Sequence, residues 1–143
     1  KCINDGSKPD NDIIVSTVRT YLKAIAYIEL SDKYICSTGF CVISPKDIYS
    51  KFMYYICVSE YFIQAVVSQS VGVSYPAISS IGISNIELPI PKSLSEQHKI
   101  ADYLDKKTSE IDSVIAANEK TIEKLKEYRQ SVIYEAVTGK IEV

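Results

Sequence analysis

The sequence predicts an α+β chain: a small mixed α/β domain followed by one long α-helix. Three observations carry this. The first part of the chain alternates short β-branched and aromatic runs with stretches bearing Gly or Pro, the pattern of strands and turns. From Ser93 onward the chain reads as one capped helix ending in Thr138-Gly139-Lys140. Along that helix Leu104, Thr108, Ile111, Ile115, Asn118, Ile122, Leu125, Arg129, Val132 and Ala136 fall alternately four and three residues apart, an unbroken heptad seam. The domain boundary is expected near Pro91, giving a domain over residues 1–91 and a helical element over 92–143.

Residues 1–12 are polar, contain Gly6 and Pro9, and read as a loop. Ile13 to Arg19 is a strand by β-branching, Ala24 to Leu30 its hairpin or meander neighbour, and Tyr34 to Ser44 a third strand. Pro45-Lys46-Asp47 opens a helix, and Phe52, Tyr55, Ile56, Phe62, Ile63, Val66 and Val67 continue it at near-helical period over 48–69. Ser70 to Ser80, with Gly72 and Pro76, is a loop, and Ile83 to Ile90 a strand leading to Pro91. Ser93 and Glu96 have capping-box spacing, with Ser95 as a rival cap. A helix over 95–137 would hold about 43 residues and run roughly 65 Å. Gly139 sits where a C′ glycine belongs.

Composition bounds the function. With 46% hydrophobic and 24% charged residues, the chain has the make-up of a folding domain rather than a disordered one. At a net charge of −2 no broad electrostatic DNA-binding surface is visible in the totals, which leave a local basic patch open. Its apolar runs are too short or too interrupted to span a bilayer, so no membrane association is expected. The start carries no signal-peptide pattern, and Lys1 stands where Met would begin a chain; a fragment or processed chain is expected. Cys2, Cys36, Cys41 and Cys57 lack paired metal-ligand spacing and read as free thiols of a cytoplasmic chain.

No catalytic constellation emerges. His98 is the one histidine and lies in the first turn of the long helix among polar neighbours, so it reads as a solvated or interface residue. There is no Gly-rich phosphate loop and no nucleotide or methyl-donor fingerprint; no cofactor and no metal are expected. Asp10, Asp105 and Lys107 superficially form a nuclease set, but nothing brings a loop residue to two helix positions. The helix charges read as its solvated face. Asn118 and Arg129 are polar residues within the seam, of the kind that costs stability and fixes register. The eleven tyrosines could suggest base stacking, but their places in helix and strand patterns point to core packing.

Two stretches resemble a known family. Ile90-Pro91-Lys92-Ser93-Leu94-Ser95-Glu96-Gln97-His98-Lys99-Ile100-Ala101-Asp102-Tyr103-Leu104-Asp105 is similar to the start of the spacer helix in type I restriction-modification specificity subunits. Leu125 through Ile141, containing Tyr128-Arg129-Gln130-Ser131-Val132 and Thr138-Gly139-Lys140, is similar to the end of that helix. Ile13 to Arg19 and Val73 to Ser79 resemble segments of the family's target recognition domain. The resemblance implies a partial recognition domain that reads half of a split DNA site, and a spacer helix that pairs antiparallel and sets the separation of two such domains. It implies docking to methyltransferase (M) subunits and, through them, to restriction (R) subunits, with no catalysis by the chain itself. With one recognition domain and one helix, the chain is expected to be at most half of such a subunit.

On this reading the DNA-binding residues are Ser16, Thr17, Arg19 and Lys23 after the first strand, with Ser74 and Tyr75 in the Gly72–Pro76 loop. Arg19 can fork onto guanine or clamp a phosphate; a surface arginine paired with a carboxylate is the plainer alternative. The Ser74-Tyr75 loop can approach a DNA backbone, or Tyr75 can tuck into the core. The pairing interface is Leu104, Ile111, Ile115, Asn118, Ile122, Leu125, Arg129 and Val132, and self-association is expected. The rivals are an assembly module that dimerises without reading DNA, and the specificity region of a fused methyltransferase-nuclease.

Overall fold

The computed structural model describes residues 11–29 and 37–142. The chain divides into two compact units, Lys1–Asp102 and Tyr103–Val143. Expectations placed on Asp10, Cys2, Cys36 and Tyr34 lie outside the described residues.

The first unit is built on a three-stranded sheet in the order β2-β1-β3. Strand β1 (Asp12–Ser16) is central and antiparallel to both β2 (Ile25–Ile28) and β3 (Phe40–Ile43); Ile13 lies opposite Tyr27 on one side and Ile43 on the other. Alternation sends Ile13 and Val15 into the core, while Ile14 faces the other side and is half-buried. The ladder stops at Ser16 because the chain turns at Arg19, whose φ of 52° is left-handed.

The helical stretch expected over 48–69 is two helices, α1 (Ser50–Val58) and α2 (Glu60–Gln69). Ser59 between them is extended. Its backbone N–H closes α1 on the Ile56 carbonyl at 3.0 Å, and its hydroxyl accepts from Phe62 N–H at 3.5 Å to open α2. The apolar period runs through this break because both helices press the same layer: Met53, Cys57, Phe62 and Val66 pack with Ile13, Val15, Ile78 and Ile83. Burial pushes the Cys57 thiol up to about 12, with Cys41 adding to it, so Cys57 stays protonated and inert.

The strand expected over 83–90 is not formed. A short helix, α3 (Ser80–Ser84), takes its start, capped by the Ser79 hydroxyl accepting from Gly82 N–H at 3.0 Å. Ile86, Leu88 and Ile90 then pack half-buried on the core without a ladder. Their alternation reports one-sided burial, and without a partner strand that burial does not make a sheet.

Helix α4 (Leu94–Val137) follows the expected bounds to within one residue. Its first turns belong to the first unit. Gln97 is buried to 2% exposure; its Oε1 accepts from Tyr49 N–H at 2.8 Å and its Nε2 donates to the Pro91 carbonyl at 2.8 Å. His98 stacks on the Tyr49 ring at 3.7 Å, and Ala101 packs with Phe52 and Ile56. In the second unit the helix ends in a Schellman motif. Gly139 has φ 69°, Lys140 N–H reaches the Glu135 carbonyl at 2.8 Å and Gly139 N–H the Ala136 carbonyl at 3.3 Å. Ile111, Ile115, Ile122 and Leu125 of the seam expose 57%, 49%, 51% and 60% of their surface.

The tyrosines depart from the expected core role. Tyr27, Tyr49, Tyr54 and Tyr55 are half-buried, whereas Tyr21, Tyr61, Tyr75, Tyr103, Tyr128 and Tyr134 are exposed. A phenol is amphipathic and keeps its hydroxyl towards water, which suits the half-buried and exposed places these tyrosines take.

Candidate nucleic-acid interface

Two loops meet at the end of β1. After Ser16 the chain continues alongside residues 76–78: Ile78 N–H donates to the Thr17 carbonyl at 3.0 Å, and Arg19 N–H to the Pro76 carbonyl at 2.8 Å. The second loop is closed by a reciprocal pair, Val71 N–H to the Ala77 carbonyl at 2.9 Å and Ala77 N–H to the Val71 carbonyl at 3.0 Å. Gly72 turns its start with φ 125°; a Cβ there would meet the Tyr75 carbonyl at 3.0 Å, so both conformation and space call for glycine. The loop is thereby pinned at its base and projects Val73, Ser74 and Tyr75 into solvent.

This pairing carries Arg19 to Tyr75. The guanidinium carbon stands 4.3 Å from the ring centre, a cation–π contact. Among the described residues Arg19 forms no ion pair with a carboxylate. Its charge is held in place by an aromatic face and remains available to an anion or a base edge. A 3₁₀ turn over Thr20–Leu22 follows, with Lys23 again left-handed at φ 54°. Thr20 shares a 2.8 Å hydrogen bond with Ser70, fastening the turn to the end of α2.

The remaining residues singled out in the sequence are placed as follows. Ser16 is half-buried and donates its hydroxyl to the Val18 carbonyl at 2.8 Å. Thr17 is buried, with 6% exposure, so its side chain lies under this surface rather than on it. Lys23 is exposed but bonded to Glu60 at 2.8 Å. Glu60, which also accepts from Gln64, is held below its usual range chiefly by that Lys23 bond. Ser74 and Tyr75 are exposed, Tyr75 in contact with Arg19. Thus Arg19 and Tyr75 come together, and Lys23 is turned to a carboxylate.

Sequence reasoning missed Glu60 and Leu22, and it noted Tyr21 and Val73 only as neighbours of the candidate residues. Tyr21 and Leu22, in the turn after Arg19, and Val73, in the loop that carries Tyr75, are exposed. The one available signal was Val71-Gly72-Val73, apolar residues on a glycine turn with no partner run. The Lys23–Glu60 link joins residues far apart in sequence and leaves no local trace. Among the described residues no group of His, Cys, Asp and Glu could hold a metal ion, and no helix is long and apolar enough to cross a membrane.

Residues 3–127 match the family described as the type I restriction modification DNA specificity domain. The chain is 37% identical over 109 residues to the type I restriction enzyme EcoKI specificity subunit of Escherichia coli K12, covering 74% of this chain and 23% of that protein. It is 29% identical over 105 residues to the MjaVIII specificity subunit of Methanocaldococcus jannaschii, covering 73% and 24%. Among solved structures it resembles the HsdS subunit of Thermoanaerobacter tengcongensis with a TM-score of 0.62 and 34% identity, covering 72% of this chain and 27% of that one. The chain spans about a quarter of the length of these relatives.

Proposed function

The chain belongs to the type I restriction modification DNA specificity family, and we propose that it recognises DNA sequence and scaffolds a restriction-modification complex without catalysing a reaction. Residues 1–91 form the recognition domain and 92–143 the spacer element. The single observation that carries the DNA reading is Arg19 stacked on Tyr75 at the rim of two pinned loops. An exposed guanidinium that pairs with no carboxylate among the described residues and lies over an exposed aromatic ring suits a base edge or phosphate. The exposed seam on α4 supports self-association, the relatives' names as specificity subunits of type I restriction enzymes support other subunits of such an enzyme as partners, and the methyltransferase and restriction subunits are what the family resemblance implies.

A second reading has its own observations. Lys23 is neutralised by Glu60, and Thr17 is buried. With the net charge of −2, these favour a module that assembles without binding DNA alone. Fluorescence anisotropy with duplex DNA across a salt series separates the two. Salt-dependent binding that falls with Arg19→Ala supports recognition, whereas binding too weak to detect at low salt supports assembly alone.

A further inference from the structure

The loop that carries Tyr75 also holds a fully exposed valine, Val73, two residues before that ring. Resting on the reading of this face as a DNA interface, we infer that Val73 is a specificity-determining residue that contacts the C5 methyl group of a thymine in the major groove. The thymine belongs to the same half-site as the base pair met by Arg19, because one loop holds both Val73 and the ring over which Arg19 lies.

Val73 contributes no burial to the fold. Turn positions ordinarily go to Gly, Pro, Asn, Asp or Ser, which supply a left-handed backbone, a fixed φ or a local hydrogen bond. Gly72, Ser74 and Pro76 are residues of that kind, and Val73 among them is not. A single exposed apolar residue is ordinary, but this one is not single. Val71, Val73 and Tyr75 in this loop, and Val18, Tyr21 and Leu22 in the segment before and within the 3₁₀ turn, are all exposed. Ala77 bridges the two segments, pairing with both Val18 and Val71. Val73 is the most exposed of the six.

Base-edge chemistry names the partner. The major groove offers hydrogen-bonding groups at every base pair and one apolar group, the thymine methyl. Arg19 suits the first kind of group, and a valine side chain suits the second. A phosphate gives an apolar side chain nothing in return for its lost hydration. The loop is also preorganised for such a contact. The reciprocal Val71 and Ala77 hydrogen bonds close its base, and Gly72 turns with φ 125° where a Cβ would meet the Tyr75 carbonyl at 3.0 Å. The β-branched side chain of Val73 is itself stiff at χ1. Little conformational freedom is therefore lost when a methyl group is met.

Fluorescence anisotropy with the full chain tests this on duplexes that the wild-type protein selects from a random-sequence pool. Each thymine of the selected site is replaced in turn by deoxyuridine, which removes the methyl group and nothing else. At one thymine of a half-site the replacement is expected to weaken binding about fourfold, the size of one methyl group's transfer out of water. At that position 5-methylcytosine is expected to bind better than cytosine by a similar factor. Both differences disappear in Val73→Ser and survive in Val73→Thr, which keeps a methyl group in the same shape. The side chain is fully exposed, so both variants fold, as circular dichroism checks. Deoxyuridine that costs nothing at any thymine, a selected site without thymine, or a cost that Val73→Ser retains overturns the assignment, while Arg19→Ala still weakens binding; the valine then falls to a protein partner. A pool that yields no enriched site overturns the DNA reading itself, and this inference with it.

Discussion

The guanidinium of Arg19 lies 4.3 Å from the centre of the Tyr75 ring, although two helices separate these residues in the chain. The contact exists because the segment after β1 pairs with residues 76–78 and both loops are fixed at their bases. Arg19→Ala is expected to cost ~1–3 kcal/mol of DNA affinity and to relax the preference at one base pair. Tyr75→Leu keeps the charge but removes the stacking surface, and is expected to cost the smaller amount of about 0.5–1 kcal/mol. Anisotropy titrations against matched and single-substituted duplexes give both numbers.

Under the proposed DNA reading, Glu60, bonded to Lys23 at 2.8 Å, competes with DNA for that ammonium. Glu60→Gln releases the ammonium at an exposed site, so affinity for all sequences is expected to rise and the salt slope to steepen by about one unit. The pH dependence has a definite sign. A carboxyl held below its usual range contributes its bond above that range and loses it as pH falls through the lowered folded value. The wild-type chain is therefore expected to approach the Glu60→Gln variant in salt slope only in strongly acid solution, below the ordinary carboxylate range, with no change in mildly acid or neutral solution.

Gln97 is a structural lock. Its buried amide satisfies Tyr49 N–H at the start of α1 and the Pro91 carbonyl before α4. Gln97→Leu preserves volume and leaves both groups without their partner, at an expected cost of about 1–3 kcal/mol in the stability of the first unit. Urea denaturation followed by circular dichroism measures it.

Gly139 tests the helix end separately. A Cβ there meets nothing within 4 Å, so any penalty comes from the left-handed φ of 69° alone. Gly139→Ala is expected to cost about 1 kcal/mol locally. Amide exchange at Thr138 and Lys140 should accelerate roughly fivefold while amides of β1 stay unchanged.

Ile115→Asp or Ile122→Asp places a charge in the middle of the exposed seam. Either is expected to shift the chain towards monomer in sedimentation at micromolar concentration, with the helical signal weakened rather than abolished.

Much of the architecture was legible in the sequence because it rests on periodicity. Strand β1 and helix α4 each repeat one rule over their length, and the caps at Ser93 and Gly139 are local signals; the Ser93 hydroxyl accepts from Glu96 N–H at 3.4 Å. The break at Ser59 was hidden because the apolar period continues across it into the same core. The false strand at 83–90 arose because alternation registers burial on one side and says nothing of a neighbouring strand. At the candidate site the positions of Arg19 and Tyr75 were readable as loop residues, but their contact was not. Nor was the burial of Thr17, which depends on backbone pairing to Gly39 at 2.9 Å and Ile78 at 3.0 Å on its two sides.

The most direct test of DNA recognition is selection of bound duplexes from a random-sequence pool by the purified chain, followed by sequencing. The account predicts enrichment of two half-sites in inverted orientation at one fixed spacing, with the preference at one position of each half-site lost in Arg19→Ala. A pool that stays unenriched, or an enriched site that Arg19→Ala leaves unchanged, would contradict it.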